Sequence, residues 1–262
     1  MLYVIYIVAA LGSTLAGSLS GMGGGIIMKP VFDLLGQYSA GETAVLTSCS
    51  MLAMSLVSVL SEAKRLRREK RSAKIVCFVA CGSLLGGLIG DKIFTVLTER
   101  APDRTVKIVQ TVVLIVMVTL IIFYMLGKKR TLGVKKEPVG ILVGLALGVV
   151  SAFLGIGGGP LNVAVLTLVF GMGAKEATTC SLASVLVAQG TKTAAILVRG
   201  GLAAFSIGLL PFVVLAGVCG ALIGRQIKKK IDDPTVYKIF IAIQGIVLVM
   251  CVGNIVKLAV GR

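Results

Sequence analysis

The sequence predicts an all-α integral membrane protein, and three observations support this prediction. Hydrophobic residues make up 56% of the 262-residue chain, charged residues make up 15%, and the mean hydropathy is +1.01. Soluble domains carry about 25% charged residues, so this chain has too few of them to cover a water-facing surface. The apolar residues form long runs, and the positive charges lie in clusters between them, as in the cytoplasmic loops of membrane proteins.

Eight apolar runs are long enough to cross a bilayer, because about 20 helical residues span a hydrocarbon core of ~30 Å. These runs are residues 3–20, 44–60, 76–97, 106–126, 139–154, 177–197, 203–223 and 236–256. Two shorter runs, residues 26–35 and 160–170, each follow a glycine cluster and reach about half-way across the core. We expect these two runs to form broken or re-entrant elements.

The composition also excludes several function classes. The chain has no His, which removes HExxH zinc sites, Ser-His triads and Cys-His dyads. Its six cysteines are scattered through apolar runs, which favours small buried packing residues over metal ligands. The net charge of +16 comes from basic clusters between apolar runs. Such clusters are typical of loops that set membrane topology and do not indicate nucleic-acid binding. We therefore predict no enzymatic activity, no catalytic residues, no metal, no cofactor and no nucleic-acid partner.

The chain contains an internal repeat. GMGGGIIMKPV at residues 21–31 matches GIGGGPLNVAV at residues 155–165, an offset of 134. Three further matches follow in the same order: 44–48 with 177–181, 86–90 with 220–224, and 106–108 with 237–239. The first of these three places Thr47 on Cys180 and Ser48 on Ser181. The sequence thus predicts one membrane domain, 1–262, made of an N-terminal repeat 1–127, a basic linker 128–137 and a C-terminal repeat 138–262.

The distribution of Lys and Arg favours inverted repeats. If only the eight long runs cross the membrane, the basic residues divide fifteen inside to ten outside. If the two short segments also cross, giving five elements per half, eighteen lie inside and six outside. The second arrangement obeys the positive-inside rule better and makes the two halves run in opposite directions, as in many secondary transporters.

The two glycine clusters are the predicted anion site. A run of three glycines does not stay helical cheaply, and a broken backbone within a membrane survives where it is buried in protein or lines a wet cavity. The free N–H groups and the dipole of the helix that follows would then bind an anion. The alternative is close helix packing by small residues. The glycines in question are Gly23, Gly24, Gly25, Gly157, Gly158 and Gly159. Pro160 suits the first turn of the second short helix.

Polar residues on the same elements could complete this substrate-binding site. They are Lys29, Thr47, Ser48, Asn162, Cys180 and Ser181. Lys29 either supplies a countercharge to the anion or extends to the lipid headgroups. The hydroxyl groups either bind the anion or bond back to helical carbonyls.

Other charged residues within the apolar runs have weaker assignments. Lys192 is a second anion contact by this interpretation, and Asp91 with Lys92 forms a self-satisfied pair near a helix end. The proton carriers, if protons are coupled, would be Asp33, Glu42 and Glu176. The GxxxG spacings at 86–90 and 220–224 indicate helix packing.

With both GxGGG motifs placed, the chain resembles the TauE/SafE family, also called the 4-toluene sulfonate uptake permease family. The residues that carry the resemblance are 21–25 with Pro30, 155–159, the segments 42–48 and 176–181, and the glycine-rich stretches 86–90 and 220–224. The resemblance covers essentially the whole chain. It implies a carrier of sulfite, sulfonates and related anions in a prokaryotic plasma membrane. In the first half the proline comes later, at Pro30, so the two half-sites would contribute unequally.

These observations together predict a multi-pass secondary transporter of small, sulfur-containing anions that works by alternating access between two repeats. A passive anion channel and a carrier of non-sulfur organic anions are the alternatives. The predicted partners are a small anionic substrate and membrane lipid. Coupling to protons or to sodium is possible, and so is homo-oligomerisation. The sequence contains no Walker motif that would indicate coupling to ATP.

Overall fold

The fold is all-helical throughout the part of the chain that the computed structural model describes, residues 2–68, 70–127, 131–134, 136–156, 159–198 and 208–260. Ten helices lie in these ranges: α1 (Leu2–Ser20), α2 (Gly25–Leu35), α3 (Ala40–Arg68), α4 (Lys70–Arg100), α5 (Asp103–Leu126), α6 (Val139–Leu154), α7 (Gly159–Phe170), α8 (Ala174–Val198), α9 (Leu210–Lys230) and α10 (Asp233–Val260). Seven of them are long and apolar enough to cross a membrane. The predicted class of integral membrane protein is confirmed.

The predicted runs and the observed helices differ in detail. The run 139–154 forms α6, which at 16 residues is one of the shorter apolar helices and not one of the seven long ones. The two short runs form α2 and α7, with 11 and 12 residues, and each begins at the last glycine of its motif. Pro160 lies in the first turn of α7 as predicted. In the run 203–223, residues 203–207 lie outside the described ranges, and α9 begins at Leu210.

Glycines bring two pairs of helices into backbone contact. A Cβ atom added to Gly86 of α4 would lie 2.1 Å from the Leu145 carbonyl oxygen of α6. A Cβ atom added to Gly220 of α9 would lie 2.9 Å from the Leu11 carbonyl oxygen of α1. Leu11 and Leu145 differ by 134 positions, as do Gly86 and Gly220, so the fourth helix of each predicted half packs on the first helix of the other. The predicted packing role of the GxxxG stretches is confirmed.

The last helices of the two predicted halves, α5 and α10, run antiparallel. The Tyr237 hydroxyl near the start of α10 donates to the Met125 carbonyl near the end of α5. The Arg104 guanidinium near the start of α5 donates to the Leu258 carbonyl near the end of α10. Inverted repeats require this opposite direction of equivalent helices. The repeat boundaries stay a prediction, and residues 128–130 and 135 of the linker lie outside the described ranges.

The basic segments converge at one end of the helix bundle. Lys74 Nζ at the start of α4 lies 3.9 Å from Glu137 Oε1, just before α6. The Ser72 hydroxyl, also at the start of α4, donates to Glu176 at the start of α8. The contact between Tyr237 and Met125 adds the start of α10 to this end. We expect this end to face the cytoplasm because Lys and Arg accumulate there.

Labelling of single cysteines tests this topology. In a variant without the native cysteines, a membrane-impermeant maleimide is expected to label Gln37→Cys in intact cells, because Gln37 is exposed at the opposite end. The variants Lys136→Cys and Lys229→Cys, exposed at the basic end, should react only after the cells are permeabilised. Equal labelling of Gln37→Cys and Lys229→Cys in intact cells would contradict the arrangement of five crossing elements per half.

The cysteines do not all pack inside the protein. Cys180 and Cys251 are buried, but Cys77, Cys81 and Cys219 are exposed on the outer surface of α4 and α9. The prediction that all six are buried packing residues is therefore wrong for these three. An apolar run does not reveal which of its faces contacts lipid, and a small apolar thiol is compatible with either environment.

Candidate functional site

The two glycine motifs form turns that contact each other in the protein interior. Gly21, Gly23 and Gly155 have φ angles of 74°, 64° and 66°, which favour glycine, and these residues interrupt the helices. A Cβ atom added to Gly25 would lie 2.8 Å from the Ile156 carbonyl oxygen, and one added to Gly159 would lie 1.4 Å from the Met22 carbonyl oxygen.

This contact is reciprocal, because each pair joins the last glycine of one motif to the second residue of the other. Gly24 packs just as closely against α1, since its Cβ would lie 2.8 Å from Thr14 Cα. Gly157 and Gly158 lie outside the described residues.

Two hydroxyl groups link each half of the chain to the turn of the other half. Thr47 Oγ1 on α3 lies 3.1 Å from the Gly155 carbonyl oxygen and shares its hydrogen with the Thr43 carbonyl oxygen, 2.7 Å away. Ser181 Oγ on α8 donates to the Gly21 carbonyl oxygen at 2.7 Å. The structure therefore pairs Thr47 with Ser181, and the predicted match of Thr47 with Cys180 is wrong by one residue. With this register, α3 and α8 each have a hydroxyl group on the face that meets the turn of the other half.

Replacing Ser181 by alanine is expected to weaken the association of the halves. The buried Gly21 carbonyl would lose its donor, and an unsatisfied buried acceptor costs about 1–3 kcal/mol. Ser184→Ala is the matched control, since the Ser184 hydroxyl is buried on the same helix and bonds to the Cys180 carbonyl of that helix. Thermal unfolding of detergent-purified protein measures both effects. A smaller loss for Ser181→Ala than for Ser184→Ala would contradict the linking role.

The remaining predicted hydroxyl, amide and thiol groups are buried. Ser48 Oγ and Asn162 Oδ1 have no hydrogen-bond partner among the described residues. Cys180 packs in the hydrophobic core cluster that also contains Met22 and Ile156. The structure thus places Cys180 beside the two turns as an apolar group, and it leaves Ser48 and Asn162 with unused hydrogen-bonding capacity.

Lys29 is buried on α2 with 3% of its surface exposed, so the alternative in which it extends to lipid headgroups is wrong. Its Nζ lies 3.7 Å from Asp33 Oδ2 and has no hydrogen-bond partner among the described residues. Together with Ile156 of the second glycine turn, it lines a small cavity. The sequence alone associates Lys29 with the first turn, which it follows directly.

Lys192 on α8 is also buried, with 1% exposed, and it lies on another side of the second turn. Its Nζ donates to the Ala152 carbonyl oxygen at 3.0 Å and lies 4.8 Å from the ring centroid of Phe94. A cation at this place stabilises the negative C-terminal end of α6. Asp91 interacts electrostatically with Lys192 and is buried, whereas Lys92 is exposed. The predicted self-satisfied pair of Asp91 and Lys92 is therefore wrong.

Two of the three suggested proton carriers have structural roles. Glu42 Oε2 accepts hydrogen bonds from the Ser39 amide at 2.9 Å and from the Ser39 hydroxyl at 3.0 Å, which caps the start of α3. Glu176 accepts from Ser72 at the basic end. Of the three carboxylates, Asp33 is the one that lines the cavity beside the second turn.

Two vestibules open at opposite ends of α5. The apolar vestibule, about 480 Å³, is lined by Met125 at the end of α5 and reaches Ser20 and Thr178 beside the first turn. The charged vestibule, about 360 Å³, lies at the start of α5. Its ionisable residues are Asp33, Asp103, Arg104, Lys107 and Lys257. The antiparallel packing of α5 and α10 thus places one entrance at each end of the protein.

The charged vestibule narrows towards the second turn. Asp33 and Asn254 line both this vestibule and an inner cavity of about 10 Å³, which has room for about one water molecule. Lys29, Gln110 and Ile156 are among the other residues that line the inner cavity. A single layer of side chains therefore separates the charged vestibule from the second glycine turn.

Three amide side chains near the turns and the inner cavity were not predicted from the sequence. Gln110 on α5 donates through Nε2 to the Phe153 carbonyl oxygen at 2.7 Å, and Asn254 on α10 donates through Nδ2 to the Pro30 carbonyl oxygen at 2.9 Å. Gln244, which is 134 positions after Gln110, is fully buried. An isolated amide within a long apolar run is the signal that could have found all three, because such a group is costly there without a partner.

The ten helices of the described residues, of which α2 and α7 begin at glycine turns that meet between opposite vestibules, are typical of a multi-pass membrane transport protein. The family model described as Sulfite exporter TauE/SafE matches residues 5–251 of this chain. The chain therefore belongs to the TauE/SafE sulfite exporter family, whose members are transporters and not enzymes. Comparisons with curated proteins and with solved structures give no match.

Proposed function

We propose that this protein is a secondary transporter of small sulfur-containing anions, of the sulfite or organosulfonate type, in a prokaryotic plasma membrane. The observation that carries the proposal is the contact between the two glycine turns, with one vestibule on each side of it. A site that is reached from opposite ends by separate entrances is what alternating access requires.

The anion would bind at the turns through backbone N–H groups and the positive ends of two helix dipoles. Those turns comprise Gly23, Gly24, Gly25, Gly157, Gly158 and Gly159. In the described conformation Gly24, Gly25 and Gly159 pack against neighbouring backbone, so the turns would have to separate before the anion binds there. Lys29 would supply the countercharge. Ser48 and Asn162 would donate or accept the additional hydrogen bonds, and Thr47, Cys180 and Ser181 would form the walls.

The two predicted repeats supply the moving parts in this proposal. Each half holds the turn of the other through Thr47 and Ser181, and the halves contact each other through equivalent glycines. Rocking one half against the other would close one vestibule and open its counterpart. The narrow region at Lys29 and Asp33 separates the vestibules, which favours a carrier over a continuous channel. Protons, sodium or neither could drive the cycle, and a homo-oligomer is compatible with it.

Currents from purified protein in liposomes on a solid-supported membrane test the proposal. We expect a saturable current for sulfite or a sulfonate from a panel that also contains sulfate, thiosulfate, acetate and chloride, with and without a pH gradient. Lys29→Met should reduce this current at least tenfold, because an anion would lose its buried countercharge. Lys92→Met, which removes an exposed lysine, should not change it.

The outcomes separate the alternatives. Exchange of labelled sulfite that is accelerated by unlabelled sulfite on the other side supports a carrier, whereas a non-saturating current supports a channel. A saturable response to acetate alone would point to non-sulfur organic anions. Neither current nor exchange from folded, inserted protein would contradict the proposed function.

A further inference from the structure

The ion pair of Lys29 and Asp33 is incomplete. Their side chains lie one turn apart on α2, are 4% and 5% exposed, and approach to 3.7 Å between Nζ and Oδ2. This distance is longer than a charge-assisted hydrogen bond. Lys29 Nζ and Asp33 Oδ1 also have no hydrogen-bond partner among the described residues. Two charges are thus buried with much of their hydrogen-bonding capacity unused, which is unfavourable unless another state uses it.

Polar and apolar side chains together surround this ion pair. Gln110 from α5 and Asn254 from α10 line the inner cavity together with Lys29 and Asp33. The NH₂ groups of both amides are held by backbone carbonyls, and Gln110 Oε1 has no partner among the described residues. The cavity, about 10 Å³, is too small for an oxyanion while the Asp33 carboxylate is present.

The other charged groups near Asp33 are engaged elsewhere. On α5, Lys107 Nζ lies 2.9 Å from Asp103 Oδ2 and 2.8 Å from the Tyr38 carbonyl oxygen. On α10, Lys257 donates to the Leu34 carbonyl.

The remaining titratable groups around Asp33 lie on four helices. Tyr6 on α1 and Cys251 on α10 interact electrostatically with Asp33. At the start of α3, Glu42 caps its own helix, and on α5 Arg104 bonds to the end of α10. Among the described residues, Lys29 is therefore the cation that lies close enough to Asp33 to form an ion pair with it.

We infer that the Asp33 carboxylate occupies the place of the substrate's anionic head on Lys29, so that the carboxylate and a monovalent oxyanion are mutually exclusive ligands of this lysine. The inference rests on the proposed function and names the ligand class, a sulfonate or hydrogensulfite with one negative charge. Asp33 also lines the charged vestibule, so its carboxylate can take a proton from vestibule water. The neutral carboxyl group then releases Lys29 to the anion, and one proton binds with each anion.

Binding of methanesulfonate to the purified full-length protein tests this inference, because a sulfonate does not itself titrate near neutral pH. Isothermal titration at several pH values should show affinity rising up to about tenfold per pH unit as the pH falls, the slope expected for one linked proton. Asp33→Asn should bind more tightly than the wild-type protein at neutral pH and should lose the pH dependence.

Asp103→Asn is the matched control, since it removes a vestibule carboxylate that pairs with Lys107 and not with Lys29. It should keep the wild-type slope. A wild-type slope in Asp33→Asn, or weaker binding by that variant, would overturn the inference. If Asp33→Asn does not fold, proton uptake by the wild-type protein, measured in buffers of different ionisation enthalpy, gives the same answer: one proton per anion supports the exchange and none overturns it.

The two proposals fail in different ways. Wild-type protein that binds methanesulfonate without any pH dependence contradicts the role of Asp33 and leaves the proposed function intact. Folded wild-type protein that binds neither methanesulfonate nor sulfite at any pH contradicts both, because the inference depends on an anion site at Lys29.

Discussion

Replacing Gly159 by alanine is expected to prevent the native fold. The added Cβ would lie 1.4 Å from the Met22 carbonyl oxygen and 1.7 Å from its carbonyl carbon, and both atoms belong to the backbone of the opposite turn. Neither can rotate away, as a flexible side chain could. Overpacking usually costs about 1–3 kcal/mol, and separating two backbone segments at the centre of the protein should exceed that range. We expect little monodisperse protein after detergent extraction.

Two further glycine variants calibrate this prediction. At Gly25 an added Cβ would meet the flexible Met51 sulfur at 2.2 Å and the Ile156 carbonyl oxygen at 2.8 Å, so Gly25→Ala should be less severe. Gly253 on α10 is exposed and has no atom within 4 Å of an added Cβ. Gly253→Ala should be neutral or stabilise the helix by up to about 1 kcal/mol. A wild-type melting temperature for Gly159→Ala would mean that the two turns do not touch as described.

Replacing Lys192 by methionine should destabilise the protein almost as strongly. The variant removes the donor to the Ala152 carbonyl and the buried positive charge that interacts with Asp91. An unsatisfied buried acceptor costs about 1–3 kcal/mol, and the buried Asp91 carboxylate would also lose a stabilising positive charge. Thermal unfolding in detergent measures the loss, and Lys92→Met is the control for removal of a lysine from the neighbouring helix surface.

A double variant separates packing from charge at this position. Adding Asp91→Asn to Lys192→Met removes the carboxylate that the single variant leaves buried, so it should recover part of the lost stability. If the double variant is no more stable than Lys192→Met, the lysine acts through its bond to α6 and its contact with Phe94, and not through Asp91.

The apolar runs alone predicted most of the helices, because a bilayer leaves few alternatives for a long apolar segment. Both helix breaks were also predictable, since three consecutive glycines disfavour a helix whatever surrounds them. The register of Thr47 with Ser181 was missed, although the offset of 134 shared by the glycine motifs and by the stretches 86–90 and 220–224 gives it. It depends on which helix face meets the opposite turn, and two short hydroxyl-rich segments match almost as well when shifted by one residue.

The assignment of charges to partners was also beyond the sequence. Lys29 follows the first turn in the chain, yet it lines a cavity with Ile156 of the second, because the two turns cross. Asp91 interacts with Lys192, about a hundred positions away, and not with its neighbour Lys92. Such pairings follow from tertiary packing, and a chain of this kind offers few charges from which to infer them.

The exchange of hydroxyl groups between the halves has a consequence for biogenesis. Thr47 reaches a turn of the C-terminal half, and Ser181 reaches a turn of the N-terminal half, so neither predicted half forms these two contacts by itself. A chain whose second half inserts in the wrong orientation would therefore lack both hydrogen bonds between the turns and the helices α3 and α8, and we expect it to be less stable than the native protein.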